Sequence, residues 1–135
     1  MAKIMDLPQF LDPRGNLSVI EQYNDIPFKI ERVHWIYDTP GGGLRDGHAY
    51  KRNEELIVAL SGSFDVSLYD GKHSERVTLN RAYNGLYVPR MTWRELDNFS
   101  TNAVALILSS TPYEEEDYIF TLKDFKQALS DDKHH

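Results

Sequence analysis

The residues best suited to chemistry lie in the stretch GGGLRDGHAYKRNEEL, from Gly41 to Leu56. His48 and Tyr50 are two positions apart, so on an extended strand both side chains point to the same face. In a barrel, that face can line an interior ligand pocket. A neutral histidine is a good general acid–base near neutral pH, which makes His48 the candidate base. Tyr50 either donates a hydrogen bond to a ligand or fills the barrel, and Arg45 is a candidate substrate-binding cation.

A second histidine lies on another candidate strand, in the sequence FKIERVHWIYD. His34 alternates with Arg32 and Ile36 on one face, whereas Val33 and Trp35 point to the opposite face. His34 is therefore a candidate catalytic residue and Arg32 a candidate substrate-binding residue. Whether this face is the one that His48 occupies stays open, because packing of His34 against a core is the alternative.

The pair Trp93–Arg94 in the sequence MTWRE combines a flat ring with a cation. This pair suits stacking on a nucleobase and pairing with a phosphate, and we take both residues as candidate substrate-binding residues. A core tryptophan beside a surface arginine is the alternative. His73 lies in the predicted turn DGKHSE and is expected to be solvated.

The histidine pattern favours chemistry without a metal ion. Histidines spaced by two on a barrel strand often bind iron, zinc or manganese, but Tyr50 stands where a second histidine would be. Trp93 stands where a further ligand would follow Pro89, and Glu54 or Glu55 could add one carboxylate only. A catalytic metal normally needs three protein ligands. No Gly-rich dinucleotide-binding turn is present, so we expect neither a metal nor a redox cofactor.

Composition narrows the class of protein. The chain has 135 residues, enough for one domain, with 41% hydrophobic and 27% charged residues and no cysteine. Its formal net charge of -6 argues against a general nucleic-acid binder, although one diphosphate needs only two or three cations. No apolar run is long enough for a membrane span and the start lacks a signal-peptide pattern, so we expect a cytoplasmic protein.

Short runs rich in β-branched and aromatic residues, with turn residues between them, predict an antiparallel all-β sandwich or barrel. The candidate strands are Asn16–Glu21, Lys29–Tyr37, His48–Tyr50, Leu56–Ser61, Ser63–Tyr69, Ser74–Leu79, Gly85–Val88, Trp93–Phe99 and Val104–Ser109. The clearest predicted hairpin is IVALSGSFDVSLYDG, with its turn at Gly62 and a further turn at Asp70–Gly71.

Both ends of the chain have a distinct character. The N-terminal segment 3–8 can pair with a sheet edge, and exchange of this segment between two copies would give a homodimer. Thr121 is a candidate cap for a short helix over about 121–130, with Leu122, Phe125 and Leu129 on one face. The tail 131–135 is expected to be disordered. The acidic run YEEEDY before the helix is expected to be a solvated surface stretch.

These segments together resemble the WxcM-like nucleotide-sugar 3,4-ketoisomerases. The resemblance rests on DPRGNLSVIE, FKIERVHWIYD, RDGHAYK, LIVALSGSFDV, NGLYVPRMTWREL, VALILSS and EEEDYI, in that order along nearly the whole chain. It implies a cupin double-stranded β-helix, a dimer that exchanges N-terminal strands, and a dTDP-linked keto sugar as substrate. The implied reaction moves a keto group from C4 to C3 without a metal, in the synthesis of amino sugars for surface polysaccharides such as O-antigen.

The resemblance also implies roles for individual residues. His48 matches the first histidine of the H-x-H motif of the family and would move protons between C3 and C4. Arg45 matches an arginine that holds the sugar or the diphosphate. Tyr50 departs from the second histidine, and His34 departs from a tyrosine found in some relatives, which we interpret as compensating changes. Two alternatives stay open: a 3,5-epimerase-like isomerase, for which Asp46 could assist, and a binder of sugar nucleotides without activity.

Overall fold

The computed structural model describes residues 1–43 and 45–132, with the backbone alone for Arg45 and Asp46. Within these residues the chain forms twelve strands, a short 3-10 helix at Glu115–Asp117 and one α-helix, α1, at Leu122–Asp132. The strands are β1 (Lys3–Asp6), β2 (Gln9–Phe10), β3 (Leu17–Ser18), β4 (Arg32–Ile36), β5 (Arg45–Tyr50), β6 (Glu55–Ser61), β7 (Phe64–Tyr69), β8 (Ser74–Leu79), β9 (Asn84–Val88), β10 (Trp93–Asp97), β11 (Val104–Ser109) and β12 (Tyr118–Ile119). No helix in the described part of the chain is long and apolar enough to cross a bilayer.

Ten of these strands form two five-stranded antiparallel sheets. The first sheet has the order β1-β9-β6-β11-β4, and the second has the order β12-β5-β10-β7-β8. Strands β2 and β3 form a separate small ribbon. This arrangement confirms the all-β prediction and agrees with a jelly-roll, in which two antiparallel sheets enclose one core.

The main core lies between the two sheets, as the alternation along β7 predicts. Phe64, Val66 and Leu68 are buried and pack in one cluster with Ile57 and Ile107 of the first sheet. Phe64 also stacks on Phe99 with ring centroids 5.2 Å apart. Inward-pointing residues at every second position therefore define the interior face of both sheets.

The predicted hairpin around Gly62 is wrong. Strand β6 pairs with β9 and β11, whereas β7 pairs with β8 and β10, so the chain passes from one sheet to the other at Gly62. Gly62 has φ +66°, and a Cβ there would lie 2.9 Å from the Cα of Ala103. The glycine thus serves a tight corner between sheets. The predicted turn at Asp70–Gly71 does join a hairpin, β7–β8.

The ends of the chain differ from the predictions in detail. Strand β1 pairs with β9 of the same chain, and the predicted strand Asn16–Glu21 shortens to Leu17–Ser18. Thr121 caps α1 as predicted, because its Oγ1 accepts the N–H of Asp124 at 3.1 Å. The helix continues to Asp132, into the tail that we expected to be disordered. Arg90 explains this extension, since its guanidinium binds the Asp132 carboxylate at 2.9 Å. The rest of that tail, 133–135, lies outside the described residues.

Candidate active site

The first sheet points a row of polar side chains into the interior. Across β6, β11 and β4, Glu55, Ser109 and Arg32 occupy paired positions, and the next inward row holds Ile57, Ile107 and His34. Both isoleucines are fully buried core residues. The strand register therefore resolves the question left open by the sequence: His34 and Arg32 face the barrel interior.

The second sheet contributes the opposite wall. Arg94 pairs with His48 across β10 and β5, and Tyr118 pairs with Tyr50 across β12 and β5. Arg94 is also the register partner of Leu68, whose side chain belongs to the main core. His48, Tyr50 and Arg94 therefore face the same interior as His34.

Two tyrosine rings pack against the candidate base, His48. The Nε2 atom of His48 lies 3.0 Å from the Tyr50 hydroxyl, and the two rings meet edge to face. The Tyr118 ring lies 4.7 Å from that of Tyr50 and 5.4 Å from that of His48, measured between centroids. These contacts hold the imidazole in one orientation beside two phenol groups.

A buried ion pair lies beside the base. The Nε and Nη2 atoms of Arg94 donate to the two carboxylate oxygens of Glu55 at 2.9 and 3.1 Å, and both residues are almost completely buried. Burial alone would raise the pKa of Glu55, but the charge and hydrogen bonds of Arg94 outweigh it and bring this pKa below its ordinary value. Glu55 is therefore a carboxylate, and the pair links the two sheets through a bidentate charged contact.

The surroundings of His48 favour its neutral form. Burial is the main reason why the pKa of His48 falls to about 3, and the positive charge of Arg94 lowers it further. Glu55 acts in the opposite direction, since its negative charge favours the imidazolium. His48 is therefore neutral near pH 7, with a lone pair on one ring nitrogen, as a general base requires.

Tyr118 is held in place by the acidic run YEEEDY, of which Glu115 and Glu116 are exposed as predicted, whereas Asp117 is not. Asp117 is buried, and its carboxylate accepts the backbone N–H groups of Arg52 at 2.7 Å and of Asn53 at 3.1 Å. Glu114 pairs with the Arg52 side chain. This anchoring ties the segment before β12 to the end of β5, so that Tyr118 reaches the interior beside Tyr50.

Arg32 supplies a second cation near the base. Its Nη2 lies 3.5 Å from the Ser109 hydroxyl, and its guanidinium carbon lies 5.7 Å from the centre of the Tyr113 ring. The Nε atom is buried and has no hydrogen-bond partner within the described part of the chain. Because a buried guanidinium donor without an acceptor is costly, Arg32 is well suited to bind an anionic ligand oxygen.

The structure brings together most of the residues that the sequence singled out. Five of the predicted site residues line the same interior: His48, Tyr50, His34, Arg32 and Arg94. The guanidinium of Arg94, however, is already paired with the carboxylate of Glu55. Trp93 lies on the other face of the sheet, where its ring packs 6.0 Å from that of Phe125 in α1, so it does not join the cluster. The side chains of Arg45 and Asp46 lie outside the described residues. His73 is exposed in its turn beside Asp70, as predicted.

Two residues of this cluster, Tyr118 and Glu55, were not predicted from the sequence in the places they take. Glu55 was considered only as a metal ligand, yet the described residues contain no group of three His, Cys, Asp or Glu side chains placed to hold a metal ion. The signal for Tyr118 was its alternation with Phe120, whose ring stacks on it at 5.3 Å and remains exposed. A flat surface of the kind predicted at Trp93 is therefore available at Tyr118 and Phe120.

The buried ion pair allows a test by double substitution. Glu55→Gln should destabilise the protein by about 3–5 kcal/mol, because Arg94 then keeps a buried charge without its counter-charge. Replacing both residues, as Glu55→Met with Arg94→Met, should recover much of the loss, since no buried charge remains. Urea unfolding measures both effects. A double variant no more stable than Glu55→Gln would contradict this account of the pair.

The lowered pKa of His48 predicts a pH-dependent stability. In the unfolded chain His48 takes up a proton near its ordinary pKa of about 6.5, whereas in the folded protein it does so only near 3. Between these values the unfolded state binds more protons, so the free energy of unfolding falls as the pH falls. Between pH 7 and pH 4, the free energy of unfolding should therefore fall by about 3 kcal/mol less in His48→Asn than in the wild type.

Urea unfolding at both pH values measures this difference, with His73→Asn as the control at an exposed position. The control should keep the pH dependence of the wild type. Equal losses of stability in the wild type and in His48→Asn would show that His48 is not held neutral by the fold.

Comparison with known proteins agrees with this geometry. The family model described as "FdtA: WxcM-like, C-terminal" matches residues 1–130. A relative from Aneurinibacillus thermoaerophilus, named TDP-4-oxo-6-deoxy-alpha-D-glucose-3,4-oxoisomerase, is 39% identical over 128 residues, covering 95% of this chain and 92% of the relative.

Two solved structures are similar over almost their full length. A 3,4-ketoisomerase from Helicobacter canadensis superposes with a TM-score of 0.92 at 36% identity, covering 96% of this chain and 97% of that chain. The TDP-quinovose 3,4-ketoisomerase WlaRB from Campylobacter jejuni has a TM-score of 0.89 at 40% identity, covering 93% and 97%. The family match, the identity and the shared architecture together show that this chain belongs to the WxcM-like, C-terminal (FdtA) family of cupins.

Proposed function

We propose that the protein is a nucleotide-sugar 3,4-ketoisomerase that moves the keto group of TDP-4-keto-6-deoxyglucose from C4 to C3. The observation that carries the proposal is a neutral, partly buried His48 in hydrogen-bond contact with Tyr50, near the cations Arg94 and Arg32. The name of the Aneurinibacillus relative supplies the substrate. A nucleotide-linked substrate also favours the cytoplasm as the place of reaction.

The proposed reaction begins with removal of the C3 proton by His48. The electrons of the C3–H bond form a C3–C4 double bond, and the carbonyl electrons move onto O4, which gives an enediolate. The proton of the O3 hydroxyl is transferred to O4, which becomes the C4 hydroxyl. The electrons left on O3 then form the new C3 ketone, and the C3–C4 double bond takes up the proton that the protonated His48 returns to C4. One base can serve both carbons if it reaches them from the same face of the sugar.

The charges around His48 suit these reaction steps. Burial and the charge of Arg94 disfavour the imidazolium and lower the pKa of His48. The enediolate brings a negative charge to the same place, and Glu55 adds another, so the imidazolium is stabilised when it forms. Tyr50 and His34 are the proposed donors to the sugar oxygens, and preorganised donors in a buried site stabilise such charge effectively.

Substrate binding is assigned to the cations and aromatic rings at the edge of the cluster. Arg32 has a buried donor without a partner in the described chain and would bind a diphosphate oxygen. The exposed ring of Phe120, stacked on Tyr118, would support the nucleobase. Arg45 stays a proposed contact to the sugar or the diphosphate on the strength of the family motif. Arg94 is proposed to act through its charge, because Glu55 holds its guanidinium.

Proton NMR in deuterated water tests the function directly. Wild-type protein with TDP-4-keto-6-deoxyglucose should give a 3-keto product and exchange the C3 proton for deuterium. His48→Asn should reduce the rate about 10²- to 10⁴-fold, as expected for loss of a general base, whereas His73→Asn should keep the wild-type rate. A wild-type protein that binds the sugar without isomerising it or exchanging its C3 proton would be a binder instead.

The proposal includes a homodimer. Val33, Trp35 and Tyr37 are exposed by 46%, 57% and 61% on the outer face of the edge strand β4 and just after it. Large apolar side chains grouped in this way are typical of interaction surfaces. Exchange of β1 between subunits stays a prediction from the family resemblance, and β1 is the edge strand opposite β4 in its sheet.

Sedimentation velocity measures the assembly. The wild type should sediment at twice the monomer mass, and Trp35→Glu should shift it towards the monomer because a charge is buried poorly in an apolar contact. A wild type that remains monomeric at every concentration would contradict the dimer.

A further inference from the structure

A β-bulge lies directly before His48 on β5. Two register pairs between β10 and β5 enclose it, Arg94 with His48 and Leu96 with Arg45. One residue separates these paired positions on β10, whereas two residues, Asp46 and Gly47, separate them on β5. An extra residue of this kind bends the strand and redirects a side chain, and such bulges are frequent beside active sites.

The bulge decides which face of the sheet His48 occupies. In a regular ladder, the residue two positions after Arg45 would pair with Arg94, and that residue is Gly47. His48 would then point to the outer face, because side chains alternate between the two faces of a strand. The extra residue instead brings His48 opposite Arg94 and into the interior. The orientation of the proposed base therefore depends on this bulge.

The indole of Trp93 lies against the bulge on the outer face of the sheet. A Cβ on Gly47 would lie 2.8 Å from both Cε2 and Cζ2 of Trp93, well below the roughly 3.5 Å at which carbon atoms pack. Glycine is therefore required for this close approach. The indole is held on its other side by the Phe125 ring of α1, with centroids 6.0 Å apart, and its Nε1 donates to the Glu95 carboxylate at 3.2 Å.

The residues of β5 divide by size between the two faces. Gly47 and Ala49 lie on the outer face, where Ala49 is fully buried in one cluster with Trp93 and Phe125. His48 and Tyr50 lie on the inner face. Small residues therefore allow the indole to pack on the strand from outside, directly behind the two residues of the candidate site.

We propose that Gly47 and Trp93 are positioning residues: the indole packs on Gly47 and holds the bulge that directs His48 into the interior. This inference rests on the proposed function, since His48 is the base of that reaction. It assigns a role to Trp93, which the structure places on the face opposite the site. Small displacements of a catalytic group matter, because an error of about 1 Å can lower a rate about 10²-fold.

Kinetics with TDP-4-keto-6-deoxyglucose test the contact. Gly47→Ala should lower kcat about 10²-fold, because its methyl group clashes with the indole and displaces His48, while KM stays near the wild-type value. Gly85→Ala is the matched control, since its Cβ would lie 2.8 Å from Cδ1 of Leu56 in the other sheet. The control should lose stability in urea but keep the wild-type kcat. Equal losses of kcat in both variants would overturn the inference.

Removal of the indole identifies the partner of Gly47. Trp93→Leu should itself lower kcat, because the bulge then lacks its support. In this background Gly47→Ala should cause no further loss, since the ring is absent and Glu95, without its hydrogen bond, can turn away from the new methyl group. A further loss of about 10²-fold would show that Gly47 acts without Trp93 and would contradict the proposal.

Proton NMR reads the position of His48 without substrate. The ring centroids of His48 and Tyr50 are 4.9 Å apart, so their ring protons should give nuclear Overhauser cross-peaks in the wild type. These cross-peaks should disappear in Gly47→Ala and persist in Gly85→Ala. If Gly47→Ala fails to fold, Trp93→Leu replaces it, and the cross-peaks should weaken there. Unchanged cross-peaks in the variant that folds would refute the positioning role.

The two proposals fail in different ways. A wild type that does not isomerise the sugar would overturn the function, while the cross-peaks still decide the role of Gly47 and Trp93. A wild type that isomerises the sugar, together with a Gly47→Ala variant of unchanged kcat, would overturn the positioning role and leave the function intact.

Discussion

The ion pair between Arg94 and Glu55 is the interaction on which the rest of the interior depends. It joins the two sheets at their inner faces, with both charges almost completely removed from water. Burial of either charge alone would be very unfavourable, so each residue requires the other. The pair therefore fixes the spacing of the two walls and places opposite charges beside His48, which is the register partner of Arg94.

This constraint accounts for how a partly buried histidine could take part in acid–base chemistry, the role that we propose for His48. Burial and Arg94 keep the imidazole neutral, whereas Glu55 makes protonation less unfavourable. A negative intermediate beside His48 would move the balance towards the imidazolium for as long as it exists. The base that we propose would thus become protonated when its ligand becomes negative, because the local field changes with the charge of the ligand.

The aromatic cluster around His48 complements the ion pair. Tyr50 and His48 belong to one strand, but Tyr118 reaches them from a segment held by the carboxylate of Asp117. The rings of Tyr118 and Phe120 continue this cluster outward to an exposed position. The ion pair, the tyrosine rings and the exposed ring of Phe120 therefore follow one another from the interior to the surface. This order suits a ligand that has a polar sugar and a flat base.

Local rules explain what the sequence determined by itself. The spacing of His48 and Tyr50 sets a common face on any extended strand, and the alternation in β7 sets its buried side. Thr121 caps α1 through contacts within one turn, and turn residues mark the limits of most strands. The resemblance of the ordered segments to the WxcM-like family added the fold and the reaction, which no single motif contains.

Contacts between distant segments were decided only by the tertiary structure. Gly62 looked like a hairpin turn, because the sequence around it does not tell which sheet each flanking strand joins. Trp93 and Arg94 are adjacent in sequence but point to opposite faces of the sheet. Arg94 is the one that faces the interior, because it pairs with Leu68 of the core. Tyr118 meets Tyr50, and Glu55 meets Arg94, through pairing of strands that are remote in sequence. Such pairings depend on the packing of the whole chain, so local spacing determines the candidates and the assembled sheets determine which of them meet.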